Sequence, residues 1–93
     1  MKTQRREIID LLSQKEMGAR EISQAVGIRE KVVYEHLSHI DRTVRAGRKK
    51  LTIIPSRCLS CGYVFENRKR FTRPGRCPKC RKTHIKSPEY RIC

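Results

Sequence analysis

At 93 residues, 37% of them apolar, the chain has room for one compact unit with a small appendage and not for two independent cores. A formal net charge of +14 and a pI near 10.3 point to an anionic partner. No apolar run approaches the length of a membrane span and no signal core opens the sequence, so the expectation is a soluble, cytoplasmic protein with no membrane and no small-molecule substrate among its partners.

The first predicted element is a helix that Thr3 caps and that runs to about Gln14. Ile8, Leu11 and Leu12 recur at helical spacing, and Ile9 widens the apolar stripe. Met17 and Gly18 interrupt that pattern. A short helix over Ala19–Val26 follows, with Ile22, Ala25 and Val26 expected inward and Gly27 placed for a turn of positive φ. A third helix is expected from Arg29 or Glu30, burying Val33, Leu37, Ile40 and Val44 and stopping at Gly47. The period then changes. Leu51-Thr52-Ile53-Ile54 is β-branched and ends at Pro55, which reads as a strand, and Glu89-Tyr90-Arg91-Ile92 reads as a second.

Charge divides the chain unevenly. Residues 1–43 hold eight Lys/Arg against seven Asp/Glu, a net of +1, whereas residues 44–93 hold fifteen against two, a net of +13. The second half also contains all five cysteines. Two Cys-x-x-Cys turns, Cys58-Leu59-Ser60-Cys61 and Cys77-Pro78-Lys79-Cys80, are separated by fifteen residues. Each such turn aims two thiolates at one centre about 2.3 Å away, and two turns complete a tetrahedron. In a reducing compartment this spacing predicts one metal ion held by Cys58, Cys61, Cys77 and Cys80, with disulfides disfavoured. Zinc is the expected ion, one per chain, although four thiolates also accept iron. Cys93 is left over as a reduced thiol.

Cys58-x-x-Cys61-Gly62-Tyr63 with Cys77-Pro78-x-Cys80 resembles the two knuckles of rubredoxin-like ribbons. In the rubredoxins themselves the metal is iron and the work is electron transfer. Here Arg81 stands where the second knuckle usually has Gly, and the surroundings are basic rather than acidic. Arg20–Ile28, continuing through Val33-Tyr34-Glu35-His36-Leu37, is similar to a helix-turn-helix, with Ile22, Val26, Ile28, Val33 and Leu37 at its apolar positions. Nearly the whole chain resembles small archaeal winged-helix proteins with a rubredoxin-like zinc ribbon inserted in the wing, a family described as predicted transcriptional regulators. The resemblance implies an α+β fold. A winged helix-turn-helix would occupy residues 1–55, completed by a wing strand near 86–93, with the ribbon at 56–85.

Function follows as an expectation of the same kind. By the motif's register Arg29, Glu30, Lys31, Tyr34, Glu35 and Ser38 face outward on the recognition helix, so Arg29, Lys31 and Tyr34 are candidate nucleic-acid contacts and the two carboxylates repel phosphate. Arg68, Lys69, Arg70, Arg73 and Arg76 crowd the loop between the knuckles around Phe71, a pattern suited to backbone contact with some base stacking; Arg81, Lys82 and Lys86 follow. The expected function is a DNA-binding transcriptional regulator with a structural zinc ribbon. Two other classes fit the residues: an adaptor that docks on a protein partner through the ribbon or the helix-turn-helix, and an iron electron carrier. No nucleophile–base pair, phosphate loop or open metal site is present, so no enzyme is expected.

Overall fold

The computed structural model describes residues 3–66, 68 and 70–93. Three helices come first: α1 (Gln4–Gln14), α2 (Ala19–Val26) and α3 (Glu30–Ala46), with a two-residue strand β1 (Met17–Gly18) between the first two. Four strands follow, β2 (Leu51–Ile54), β3 (Arg57–Cys58), β4 (Ile85–Lys86) and β5 (Glu89–Ile92). The result is a small α+β fold with two antiparallel sheets, one ordered β1-β5-β2 and the other β3-β4.

Each helix begins and ends for local reasons. The Thr3 hydroxyl accepts from the Arg6 N–H at 3.2 Å and caps α1. Gly18 has no side chain with which to cap α2, but the Glu21 carboxylate turns back to its N–H at 3.3 Å, half of a capping box. Gly27 ends α2 at φ 78, in the left-handed region that a β-carbon resists. The α2–α3 turn is tightened by the Gly27 and Ile28 N–H groups, which both donate to the Ser23 carbonyl. Val33, Leu37, Ile40 and Val44 are all buried on α3, as their spacing predicts.

The buried face of α2 departs from expectation. Ala19 and Ile22 are buried, Val26 is half-buried, and Ala25 is exposed. A helix of eight residues presents only about two turns to the core. The stripe through Ala19, Ile22 and Val26 leaves Ala25 on its flank, next to Ile22 and exposed.

The core closes on β5. It lies between β1 and β2, with Ile53 opposite Tyr90, Leu51 opposite Ile92 and Met17 opposite Tyr90. Lys50 and Cys93 exchange backbone hydrogen bonds at 3.0 Å and extend the β2–β5 ladder to the last residue. Tyr90 is the largest fully buried side chain, while Ile92 and Leu51 are buried beside α1 and α3 and Ile53 is half-buried. Each large apolar side chain withdrawn from water in this way contributes about 1.5–3 kcal/mol. No described helix is long and apolar enough to cross a membrane.

Candidate metal centre

Between β2 and β5 the chain leaves the core and makes the second sheet, and there the two Cys-x-x-Cys turns meet. They are built alike. The Gly62 N–H donates to the Cys58 carbonyl and the Arg81 N–H to the Cys77 carbonyl, both at 2.9 Å. The Cys58 N–H then donates to the Tyr63 carbonyl at 2.8 Å, as the Cys77 N–H does to the Lys82 carbonyl at 2.9 Å. Both turns demand a left-handed residue after the second cysteine. Gly62 meets that demand at φ 81 without cost, and Arg81 meets it at φ 62 with its β-carbon in the way. The departure from glycine in the sequence is thus a departure in residue type only, since the backbone of the second knuckle keeps the shape of the first.

The four thiols converge. All four Sγ atoms lie within 4.8 Å of one another. Cys58 Sγ is 3.5 Å from Cys80 Sγ, and Cys61 Sγ is 3.6 Å from Cys77 Sγ. A tetrahedron with metal–sulfur bonds of about 2.3 Å has edges of about 3.8 Å, so the set fits a metal ion, and a disulfide at about 2.05 Å is absent among these residues. Cys58 and Cys77 are buried, Cys80 is half-buried and Cys61 is exposed. Cys93 stands apart, its side chain exposed and its backbone held in the β5 ladder.

The knuckle backbone prepares the site for ionisation. The Cys61 N–H, with help from that of Ser60, lowers the Cys58 thiol to about 6 against the effect of burial. At Cys77 burial acts upward, but the N–H groups of Cys80 and Lys79 outweigh it and hold the thiol below its ordinary value. Cys61 goes the other way. The Tyr63 N–H pulls it down, yet the partial desolvation of its sulfur inside the cluster and the three neighbouring sulfurs lift it to about 11. Four negative sulfurs this close repel one another, and a divalent cation at their centre removes that conflict.

Around this centre the expected cations separate by position. Arg70, Arg73, Arg76, Arg81, Lys82 and Lys86 are exposed. Arg68 is half-buried and folded back on its own loop: its Nε donates to the Thr72 carbonyl at 3.3 Å and its Nη2 to the Thr72 hydroxyl at 3.2 Å, so it braces the loop. Lys69 lies outside the described residues. Phe71 does not stand free for base stacking. It packs against the core, its ring edge-on to Tyr90 at 5.9 Å between centroids, and its carbonyl accepts a hydrogen bond from the Tyr90 hydroxyl. One buried tyrosine thereby ties the loop between the knuckles to β5.

On α3, Arg29 and Lys31 are exposed, as are Glu30, Glu35 and Ser38. Tyr34 is half-buried and leans on the core, contrary to its expected outward place. An open cleft of about 620 Å³ separates this first turn of α3 from the ribbon, with Glu30 and Tyr34 on one side and Arg73 and Lys86 on the other. Burial and then Glu30 raise the Tyr34 phenol above its ordinary value, although Arg73 pulls it down. Arg57, which no sequence pattern singled out, pairs with Lys86 directly across the second sheet. The only early signal for it was a cation placed immediately before a ligand cysteine.

Comparison with known proteins agrees with this architecture. A family model described as PF0610-like, N-terminal, matches residues 3–52, the stretch that holds the three helices and the first half of β2. The solution NMR structure of protein PF0610 from Pyrococcus furiosus matches with a TM-score of 0.80 at 30% sequence identity, covering 97% of this chain and 88% of that one. No curated protein matches. With more than half of its length matched by the family model and nearly all of it by the solved relative, the chain belongs to the PF0610-like family.

Proposed function

We propose that the protein is a DNA-binding transcriptional regulator, a winged helix whose wing carries a structural zinc ribbon. In this reading α2, the Gly27 turn and α3 are the helix-turn-helix, β2 and β5 are the wing hairpin, and residues 56–85 replace the wing tip. The observation that carries it is the continuity of the β2–β5 ladder with a four-cysteine unit in the half of the chain that holds a net charge of +13. Zinc held by four thiolates has no open position, so it supplies rigidity and no Lewis-acid chemistry, and the protein works as a binder rather than an enzyme. Four thiolates and the ion together carry −2, which leaves a strongly cationic molecule. Retention on mixed genomic duplex at moderate salt tests the reading, and failure to bind there removes it. A colourless protein with one equivalent of zinc fits, whereas a red one with a reversible redox wave makes it an iron electron carrier.

A second reading has an observation of its own. Leu59, Tyr63 and Val64, around the first knuckle, are exposed by 48%, 37% and 40%, and Glu30 and Glu35 face out from α3. Apolar side chains on a knuckle and carboxylates on the helix that would read bases suit an adaptor docking on a protein. Capture from lysate with and without nuclease separates the two, because capture through DNA is lost on nuclease treatment and capture of a protein is not.

A further inference from the structure

Val64, Arg57 and Lys86 stand in register across the ribbon, Arg57 bridging Val64 on one side and pairing with Lys86 on the other. Residues directly opposite one another in an antiparallel ladder share a face, so the three project together, and all three are exposed. The opposite face carries Cys58 and Ile85, which are buried. Two cations directly opposed in so short a ladder repel each other and cost stability. Lys86 has partial relief from Glu89, at 3.7 Å, while among the described residues no carboxylate lies within ion-pair distance of Arg57. Arg73 adds a third cation, since its Nη1 donates to the Ile85 carbonyl at 3.5 Å beside Lys86.

We propose that Arg57, Lys86 and Arg73 form a phosphate-binding platform that holds the phosphodiester backbone of the DNA. The proposal rests on the DNA-binding reading and names the residues that carry it. An anion over the face turns the Arg57–Lys86 repulsion into shared attraction, and both guanidinium groups offer forked donors to phosphate oxygens. Other candidates are less well placed. Arg68 spends both Nε and Nη2 on Thr72, whereas Arg73 gives up only Nη1. The cleft that Arg73 and Lys86 border also holds Arg20, Glu21, Glu30 and Glu89, so its interior has no net sign and the anion is held on the outer face instead. β3 ends in the ligand Cys58, so the metal holds the platform in place.

The test uses the zinc-loaded full chain on a random 20-base-pair duplex, with affinity measured by fluorescence anisotropy at several salt concentrations. Arg57→Gln, Lys86→Gln and Arg73→Gln each remove one contact, and each lowers the slope of log affinity against log salt by about 0.9. The triple variant accumulates the three losses. Arg6→Gln, an equal loss of charge on α1, leaves the slope unchanged. In the free protein at low salt, the Arg57→Gln/Lys86→Gln variant melts no lower than the parent, because a repulsion has been removed. Inorganic phosphate raises the parent's melting temperature more than that of the triple variant. A parent that binds while the triple variant keeps its slope overturns the platform and leaves the DNA-binding reading standing. A double variant that binds more weakly and also melts lower assigns the pair a structural role and overturns the platform as well. A parent that does not bind the duplex at any salt refutes the DNA-binding reading itself, and the platform with it.

Discussion

Arg48 closes α3 in a conformation that a β-carbon resists. With Gly47 as the C-cap, the Lys49 N–H returns to the Val44 carbonyl at 2.8 Å and the Arg48 N–H to that of Arg45 at 3.1 Å, and Arg48 itself takes φ 63. That is the Schellman arrangement with its glycine one position early. Arg48→Gly is therefore expected to stabilise the protein by about 0.5–1 kcal/mol, read as a higher urea midpoint. His36 links two helices. Arg5 Nε can only donate, and it lies 3.1 Å from His36 Nδ1, so the ring is neutral with Nε2–H toward Gln4 Oε1 at 3.4 Å. Burial, then the Arg5 charge, lowers its pKa, with Glu35 opposing and His39 adding to the effect. The folded protein thus binds fewer protons here than the unfolded chain. The contribution is complete above about pH 6.5 and is lost as pH falls from there toward the depressed folded value. His36→Gln should flatten that part of the pH dependence, measured as urea midpoints from pH 7.5 to 5.5; identical profiles for variant and parent would refute it.

Strand β5 is short, yet the fold hangs on it. It pairs on both edges and supplies Tyr90 and Ile92 to a core whose helices alone leave an apolar face open. Truncation after residue 87 removes both side chains, about 1.5–3 kcal/mol apiece, from a molecule of marginal net stability. The expected outcome is loss of the cooperative melt and of most helical circular dichroism; a truncated chain that stays helical and melts cooperatively would make β5 an appendage. The loop between the knuckles depends on the same strand. Tyr90→Phe keeps the ring and strands the Phe71 carbonyl, so it should cost about 1–3 kcal/mol and raise hydrogen exchange near residues 70–74 ahead of the helices.

At the scale of the whole molecule the four-cysteine cluster and the core are separate centres, with the Phe71–Tyr90 contact between them. The helices have their own buried stripe, whereas the described residues of the ribbon (56–85) bury Ser56, Cys58, Pro74, Cys77 and Ile85 and form no large apolar cluster of their own. Chelation should unfold residues 56–86 and leave most of the helical signal, with Tyr90 losing its partner as the loop departs. Replacing Cys58, Cys61, Cys77 or Cys80 with Ser should sharply reduce metal content, and Cys93→Ser should not. Metal loss in the Cys93→Ser protein would show the ligand set to be wrong.

Local spacing was enough to pick out the four cysteines that converge, since a Cys-x-x-Cys turn is shaped by its own backbone, and enough to read the three helices, since their period lies within each segment. The two strands were legible as short runs at 51–54 and 89–92, and their pairing was what the family resemblance implied. The rest depended on partners distant in the chain. Met17-Gly18 looks like an interruption until β5 lies beside it, and Tyr90 looks like one more strand residue until α1, α3 and Phe71 surround it. Phe71 is an aromatic among cations by sequence, and only its packing against Tyr90 places it with the core instead of free for stacking. Composition likewise counts Arg57, Arg68 and Arg73 as equals. Thr72 and the Arg57–Lys86 register separate them, because a charge's role depends on which groups share its space, and side-chain identity alone does not encode that.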